Sequence, residues 1–146
     1  MSAAHSVSSE AVSHPRVGVG VLLADERGRV LLTLRKLPPE AGCWSIVGGK
    51  LYYLETLQDC AIREAGEEVG LAISLEGLLC VTDHLLPEEQ QHWVSPAYLG
   101  RVLRGEAQNC EPHKTSEVRW FALAELPANL TMTARNAISA YRHRLA

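Results

Sequence analysis

The eight residues REAGEEVG, residues 63–70, constrain this chain more than any other stretch. Glu64, Glu67 and Glu68 stand three and four positions apart, so a helix would place their side chains on neighbouring parts of one face. Two carboxylates at about 4 Å repel each other by roughly 4 kcal/mol at an effective dielectric near 20. The crowding therefore has two interpretations. It is either the solvated acidic face of a helix or a site that holds something positive.

The residues around this segment predict where the helix begins and ends. Four apolar residues recur at helical spacing, namely Leu57, Ala61, Ala65 and Val69. Thr56 is a good N-cap residue, and Gly70 suits the position that follows the last helical turn. The pattern predicts an amphipathic helix between these two residues.

The rest of the chain predicts strands, one further helix and short loops. The strand candidates are residues 17–24, 30–36, 71–86 as one or two strands, 92–103 and 117–123. The segment TMTARNAISAYRHRLA, residues 131–146, predicts a helix whose inward residues are Ala134, Ile138 and either Tyr141 or Leu145. Strands with helices between and after them indicate an α/β fold built in layers.

Composition limits the class of protein. A chain of 146 residues predicts one domain, which we place at residues 16–146, after a disordered Ser- and Ala-rich tail at residues 1–15. The net charge of -3 argues against a general nucleic-acid partner, and no apolar run approaches the roughly 20 residues of a membrane span. Four cysteines without a CxxC pair are typical of a reducing compartment, so we expect a cytoplasmic protein.

The spacing of polar residues before and within the predicted helix is regular. Gly49 is followed after five residues by Glu55, after seven more by Arg63-Glu64-Ala65, and then by Glu67-Glu68 and Gly70-Leu71 at intervals of one residue. This pattern resembles the Nudix box, GX5EX7REUXEEXGU, in which U is an aliphatic or small apolar residue. Seven fixed positions match by chance on the order of once in 10⁸ windows at typical composition.

The resemblance implies a Nudix fold, an α/β/α sandwich with a mixed β-sheet, and a hydrolase of nucleoside diphosphates linked to a further group. It implies Mg²⁺ as the cofactor, with Mn²⁺ as a substitute. Hard cations of this kind prefer oxygen ligands and bridge carboxylates to phosphates.

The resemblance also assigns roles to residues of the box. The implied metal ligands are Glu64, Glu67, Glu68 and the carbonyl oxygen of Gly48, and Glu64 is alternatively the catalytic base. Arg63 is expected to hold a catalytic glutamate through a two-point ion pair, and Glu55 to orient that network. One further glutamate from a later loop is expected to assist catalysis, and Glu111 and Glu117 are both candidates.

Residues that contact substrate are predicted around the box. The candidates are Arg35, Gly49, Lys50, Tyr52 and Trp93. Basic residues suit phosphates and aromatic faces suit a base, although Arg35 is also explained as a solvated strand end. At least one of Trp93 and Tyr98 is expected to pack in the core, as is Trp44. His84, His92 and His113 lack ligand spacing and are predicted to lie on the surface.

Three positions, Tyr52, Leu54 and Val47, depart from common Nudix sequences. Leu54 stands where many members carry glycine, and leucine resists a positive φ. We therefore expect the backbone at Leu54 to follow a different path from the usual turn.

The substrate class rests on the resemblance alone. The segment EPHKTSEVRWFALAELP, residues 111–127, favours a (deoxy)nucleoside triphosphate, cleaved to a nucleoside monophosphate and pyrophosphate. The alternatives are an ADP-ribose or nucleotide-sugar pyrophosphatase, a catalytically inactive Nudix-fold ligand sensor, and a structural domain with an acidic helix. The expected partner is a small nucleotide, and family analogy allows a homodimer.

Overall fold

The computed structural model describes residues 14–146. The predicted disordered tail falls mostly on residues 1–13, which lie outside the described residues. Within that range the secondary structure follows the order β1, β2, β3, β4, α1, β5, β6, β7, α2.

The strands and helices have these bounds. The strands are β1 Arg16–Ala24, β2 Val30–Arg35, β3 Trp44–Ser45, β4 Val47–Lys50, β5 Ala72–Leu86, β6 Gln91–Arg104 and β7 Thr115–Phe121. The helices are α1 Leu57–Val69 and α2 Met132–Leu145, and short 3₁₀ turns lie at Pro87–Glu89 and Leu123–Glu125. The long strands and both helices were predicted from the sequence, whereas the short strands β3 and β4 were not.

The seven strands form one mixed sheet, as expected. Its main order is β3-β2-β1-β6-β5, with β4 paired to β1 and β7 paired to β2. Strand β1 runs parallel to β6 and antiparallel to β2 and β4. The two helices cover opposite faces of this sheet, so the α/β/α sandwich is confirmed.

Strand β1 shows why both faces need a helix. Val19, Val21 and Leu23 pack in the cluster that contains α1, whereas Leu22 and Ala24 pack in the cluster that contains α2. Alternate residues of a strand point to opposite faces, so a central strand buried on both sides is apolar throughout. By the same alternation, Gly18 and Gly20 lie on the face of the sheet that α2 covers. Because they have no side chains, they leave space on that face.

Helix α1 begins and ends where its capping residues predict. The Thr56 side chain accepts a hydrogen bond from the Asp59 N–H at 3.1 Å. Gly70 adopts a φ of 73° and its N–H reaches back to the last turn, which ends the helix. The apolar stripe packs against the sheet, and Ala61, Ala65 and Val69 are fully buried.

Helix α2 packs on the other face through Ala134, Ile138 and Tyr141. Of the two alternatives for its last inward position, Tyr141 is buried and Leu145 is exposed. Trp44 packs edge-to-face on Phe121 with ring centroids 4.9 Å apart, in the core as predicted. Neither α1 nor α2, nor any other helix within residues 14–146, is long and apolar enough to cross a membrane.

Candidate active site

The paired glycines of β4 bring its backbone against helix α1 and strand β1. A Cβ atom at Gly49 would overlap the carboxylate of Glu64, and one at Gly48 would overlap the carbonyl oxygen of Val19. Neither glycine has a positive φ. Close approach, rather than an unusual backbone conformation, therefore requires glycine at both positions.

Helix α1 buries two of its three glutamates. Glu64 is 9% exposed and Glu68 is 8% exposed, whereas Glu67 reaches solvent. The Glu68 carboxylate accepts a hydrogen bond from the Gly48 N–H at 3.1 Å. The interpretation of a solvated acidic face is therefore wrong for Glu64 and Glu68, because their i, i+4 spacing places both toward β4.

Burial gives these carboxylates unusual acidities. It raises the pKa of Glu68 to about 8, and the nearby charges of Glu64 and Glu111 raise it too, whereas the Gly48 N–H acts in the opposite direction. Burial likewise raises the pKa of Glu64, although the Arg63 guanidinium opposes the change. Burial is the largest cause in both cases, because removal from water disfavours the charged form of a carboxylate.

The Arg63 guanidinium is the hub of the acidic cluster. Its Nε and Nη2 donate to the two oxygens of Glu55 at 2.7 and 3.1 Å. Its Nη1 donates to Glu64 at 3.0 Å and to Glu67 at 2.9 Å, and Nη2 also donates to the Lys50 carbonyl at 3.0 Å. These contacts use all five N–H donors of an arginine, which a lysine cannot supply.

Tyr52 and Glu55 hold Arg63 in place. The Tyr52 ring lies 3.8 Å from the Arg63 guanidinium carbon, and the Tyr52 N–H donates to Glu55 at 3.0 Å. The hydrogen bond from Arg63 is the main reason why the pKa of Glu55 falls to about 2. Glu55 therefore stays ionised at neutral pH and anchors the guanidinium.

The backbone at Leu54 does not adopt the negative φ that a leucine side chain predicts. Its φ is 67°, in the left-handed region that favours glycine. The expectation of a different turn was therefore wrong. The surrounding loop imposes the conformation on a leucine whose side chain is 87% exposed and packs little.

The two later glutamates lie in different surroundings. Glu111 lines the same cleft as Glu64 and Glu68, and its charge raises the pKa of both. Glu117 lies outside that cleft and pairs with Arg119, which donates to it at 2.7 Å. Of the two candidates, only Glu111 is brought to the acidic cluster.

The residues present fit a divalent cation by the chemistry of their donor set. Within residues 14–146, no three acidic, histidine or cysteine side chains are already gathered tightly enough to enclose an ion. Glu64 and Glu67 instead share Arg63, and Glu68 takes a backbone N–H. Three carboxylates beside the glycine backbone of β4 are nevertheless an all-oxygen set, which Mg²⁺ and Mn²⁺ prefer.

A cleft of about 650 Å³ opens from this cluster across the α2 face of the sheet. All five residues predicted to contact substrate line it, namely Arg35, Gly49, Lys50, Tyr52 and Trp93. The Arg35 guanidinium is already engaged, because it donates to the carbonyls of Pro39 at 2.7 Å and Leu37 at 3.2 Å. It therefore shapes the loop at the cleft wall, whereas Lys50 is exposed.

Trp93 forms an aromatic wall of the cleft. Its indole N–H donates to Gln91 at 2.8 Å, and the Arg16 guanidinium lies 4.4 Å from the ring centroid on one face. A Cβ atom on Gly18 would come within 3.3 Å of the ring, so the glycine leaves space for it. Tyr98, in contrast, is buried in the α1 core, as the alternation along β6 requires.

Three titratable residues of the cleft were not among the predicted site residues. They are Glu40, His84 and Lys114. The prediction that His84 lies on the surface was wrong, since the residue is 7% exposed. Hydropathy along β5 indicates the wrong face, because the apolar residues Val81 and Leu85 are exposed whereas Thr82 and His84 are buried. The inward face of this edge strand is set by packing against α2, from which Asn136 donates to Thr82.

The chain is similar to known proteins over most of its length. The family model of the NUDIX domain matches residues 14–141. The crystal structure of a MutT NUDIX hydrolase from Burkholderia pseudomallei is 43% identical with a TM-score of 0.80. The match covers 87% of this chain and 98% of that one.

Two curated relatives add enzymes with different substrates. The ADP-ribose pyrophosphatase of Methanocaldococcus jannaschii is 31% identical over 114 residues, which is 78% of this chain and 66% of its own length. The oxidized purine nucleoside triphosphate hydrolase of Danio rerio is 30% identical over 111 residues, 73% of this chain and 67% of its own length. This chain thus spans about two thirds of either relative.

Proposed function

Because this chain belongs to the Nudix hydrolase family, we propose that it hydrolyses the pyrophosphate linkage of a nucleoside diphosphate derivative with divalent metal ions as cofactors. The preferred substrate class is a (deoxy)nucleoside triphosphate, cleaved to a nucleoside monophosphate and pyrophosphate. The observation that carries the proposal is the convergence of buried Glu64 and Glu68 with Gly48 and with the Arg63–Glu55 pair at one end of the cleft.

The metal site is proposed from the same residues. Glu64, Glu67, Glu68 and the Gly48 carbonyl oxygen would hold Mg²⁺, or Mn²⁺ in its place. When bound, such ions would neutralise the charge of the phosphates and polarise their oxygens. Without the ions, the acidic cluster would repel the phosphates.

The chain's own residues support the hydrolysis in three ways. Arg63 fixes the orientation of Glu55, Glu64 and Glu67 through four hydrogen bonds. Lys50 lies at the cleft wall where it can contact a phosphate oxygen. The bare backbone of Gly49 admits the Glu64 carboxylate, which a side chain at this position would displace.

The reaction breaks one bridging phosphorus–oxygen bond and forms one bond from phosphorus to the oxygen of water. The proton that this water loses must pass to a carboxylate. Glu64 and Glu111 are the candidate bases, because both border the cleft beside the metal-binding set and both are carboxylates. Glu117 has no part in this proposal, since it pairs with Arg119 outside the cleft.

A second candidate substrate is ADP-ribose or a nucleotide sugar. It is favoured by the similarity to the ADP-ribose pyrophosphatase from Methanocaldococcus jannaschii. Such a substrate would place its second group where the triphosphate extends its terminal phosphates. The acidic cluster serves both, because the chemistry at the bridging phosphates is the same.

A substrate panel tests the proposal. The purified protein is incubated with nucleoside triphosphates, ADP-ribose and nucleotide sugars in the presence of Mg²⁺ or Mn²⁺, and the products are identified by chromatography. We expect nucleoside monophosphate and pyrophosphate from the triphosphates and no turnover with EDTA. Release of inorganic phosphate and a nucleoside diphosphate would contradict the proposed cleavage, and ligand binding without any product would favour the sensor.

Two properties of the whole protein are also proposed. All four cysteines are free thiols in the structure, which favours the reducing environment of the cytoplasm. A homodimer is proposed by family analogy alone. Light scattering of the purified protein measures its oligomeric state.

A further inference from the structure

The far wall of the cleft carries a carboxylate that the hydrolysis does not use. Glu40 lies in the loop between β2 and β3, and its side chain is 23% exposed at the cleft surface. A negative group here cannot assist phosphate binding, because it would repel the phosphates. Its presence therefore needs another explanation.

The position of the Glu40 carboxylate is fixed. Its Oε2 accepts a hydrogen bond at 3.0 Å from the backbone N–H of Met132, the first residue of helix α2. The positive end of the helix dipole favours a carboxylate at this point. The second oxygen, Oε1, accepts no hydrogen bond from any donor within residues 14–146 and faces His84.

His84 lies against that second oxygen. The imidazole is 7% exposed, and its Nε2 lies 3.3 Å from Glu40 Oε1 without the alignment of a hydrogen bond. Nε2 is also buried and has no other partner among the described residues. Glu40 Oε1 is the acceptor that the structure places beside this buried nitrogen, so the imidazole restricts where that oxygen can lie.

The backbone of Glu40 is strained as well. Its φ is 58°, a left-handed conformation that costs a residue with a side chain roughly 1–2 kcal/mol. The Cys43 N–H donates to the Glu40 carbonyl at 3.2 Å and closes the turn. Strain of this kind persists where the surrounding structure holds a side chain in a required position.

The pair lies where the base of a bound nucleotide would reach. Gly48 and His84 lie three strand spacings apart, about 14 Å, because β1 and β6 lie between β4 and β5 in the sheet. His84 is the register partner of Trp93, whose ring lines the cleft between the two ends. A nucleotide whose phosphates lie at the acidic cluster would stack its base near Trp93 and extend the base edge toward Glu40.

We propose that Glu40 is a specificity residue that accepts a hydrogen bond from the exocyclic amino group of a nucleobase, with His84 as its positioning residue. The inference rests on the proposed function, since it names the class of nucleotide for that same site. Carboxylates accept from amino groups such as N4 of cytosine and N6 of adenine. The carbonyl oxygen that replaces these groups in uracil and hypoxanthine would repel Glu40 Oε1 instead.

The substitution Glu40→Gln isolates this contact. Its amide oxygen can still accept from the Met132 N–H, so its amide nitrogen replaces Oε1 at the cleft. An acceptor thereby becomes a donor with little change in shape. The substitution should reverse the preference at the base edge, whereas the loss of a merely structural residue would weaken all nucleotides alike.

The test is the binding of nucleoside monophosphates by calorimetry, which requires no turnover. Two matched pairs are compared, dCMP against dUMP and dAMP against dIMP, whose members differ in the exocyclic group and in the hydrogen on the adjacent ring nitrogen. We expect the unaltered protein to bind the amino member about tenfold more tightly in at least one pair, and Glu40→Gln to reduce or invert that ratio. The exposed residue Glu88, outside the cleft, provides the control Glu88→Gln, which should keep the ratio.

A second variant covers the event that Glu40→Gln does not fold. His84→Leu is expected to lower the ratio while leaving the affinity for dUMP and dIMP in place, and His84→Gln is expected to recover part of it. Equal affinities within both pairs in the unaltered protein, no measurable binding of any of the four, or an unchanged ratio in Glu40→Gln would each overturn the inference. Cleavage of the triphosphate panel is scored separately, so that failure of the proposed function and failure of the base contact give different results.

Discussion

The carboxylate of Glu68 and the backbone N–H of Gly48 are joined by a hydrogen bond of 3.1 Å. This bond ties the last turns of α1 to β4 and brings a buried acid beside a backbone without side chains. The Glu68 carboxylate is buried there with no arginine or lysine donating to it among the described residues. A divalent cation is the counter-charge that we propose for this position.

Replacing Glu68 tests its role as a metal ligand. Glu68→Gln keeps the shape and an acceptor for the Gly48 N–H but removes the charge, so we expect turnover to fall by at least about a hundredfold. Steady-state kinetics with Mg²⁺ measure the change. The control is Glu117→Gln, outside the cleft, which should retain activity. Turnover close to that of the unaltered protein in Glu68→Gln would remove the residue from the metal site.

Replacing Arg63 tests the hub of the cluster. Arg63→Lys keeps the positive charge but supplies three donors where the structure uses five, so two hydrogen bonds to charged or carbonyl oxygens are lost. We expect kcat to fall about tenfold or more with the fold retained. Arg119→Lys, in an exposed pair with Glu117, is the matched control. Equal kinetics for both lysine variants would show that the hub does not organise catalysis.

Replacing Leu54 tests the strained turn. A left-handed conformation costs leucine about 1–2 kcal/mol, and glycine loses roughly 0.5–1 kcal/mol through its freer unfolded chain. Leu54→Gly should therefore raise the free energy of unfolding by about 0.5–1 kcal/mol, measured by urea denaturation. Tyr53 is similarly exposed but lacks a positive φ, so Tyr53→Gly should not stabilise. A loss of stability in Leu54→Gly would mean that the leucine side chain contributes more than the strain costs.

The turn between β1 and β2 makes a prediction about pH. Burial raises the pKa of Asp25, but hydrogen bonds from Arg29 and Arg27 outweigh it and hold the pKa below the ordinary value of 3.8. A lowered pKa stabilises the fold above the unfolded value and loses that contribution as the pH falls through the folded one.

The substitution Asp25→Asn should therefore destabilise the fold at neutral pH by about 1 kcal/mol. The difference from the unaltered protein should shrink well below pH 3.8. Urea denaturation at the two pH values measures it, with the exposed neighbour Glu26→Gln as the control. A difference that stays constant with pH would assign the effect to shape rather than charge.

Much of the fold followed from local chemistry. Thr56 and Gly70 define helix α1 because capping depends on residues within one turn of the helix end. The long strands followed from apolar runs between turn residues. The two-residue strand β3 was not predictable, because it exists only through pairing with β2 and contact with the segment before α2.

The part of the site that lies within one continuous stretch of sequence was predicted. The spacing of the Nudix box predicted the glutamates that hydrogen-bond to Arg63 and to Gly48, because the box and helix α1 occupy the same stretch of chain. Three features depended on distant contacts: the burial of His84, the choice of Glu111 over Glu117, and the positive φ of Leu54. Each is decided by what the rest of the fold places beside the residue, which spacing along the chain does not report.

Anomalous diffraction from crystals soaked in Mn²⁺ locates a bound ion without relying on turnover. We expect a peak within coordination distance of the carboxylates of Glu64, Glu67 and Glu68 and the carbonyl oxygen of Gly48, and its loss in crystals of Glu68→Gln. A map with no peak beside these residues at saturating Mn²⁺, from crystals that diffract well, would contradict a metal-dependent hydrolase.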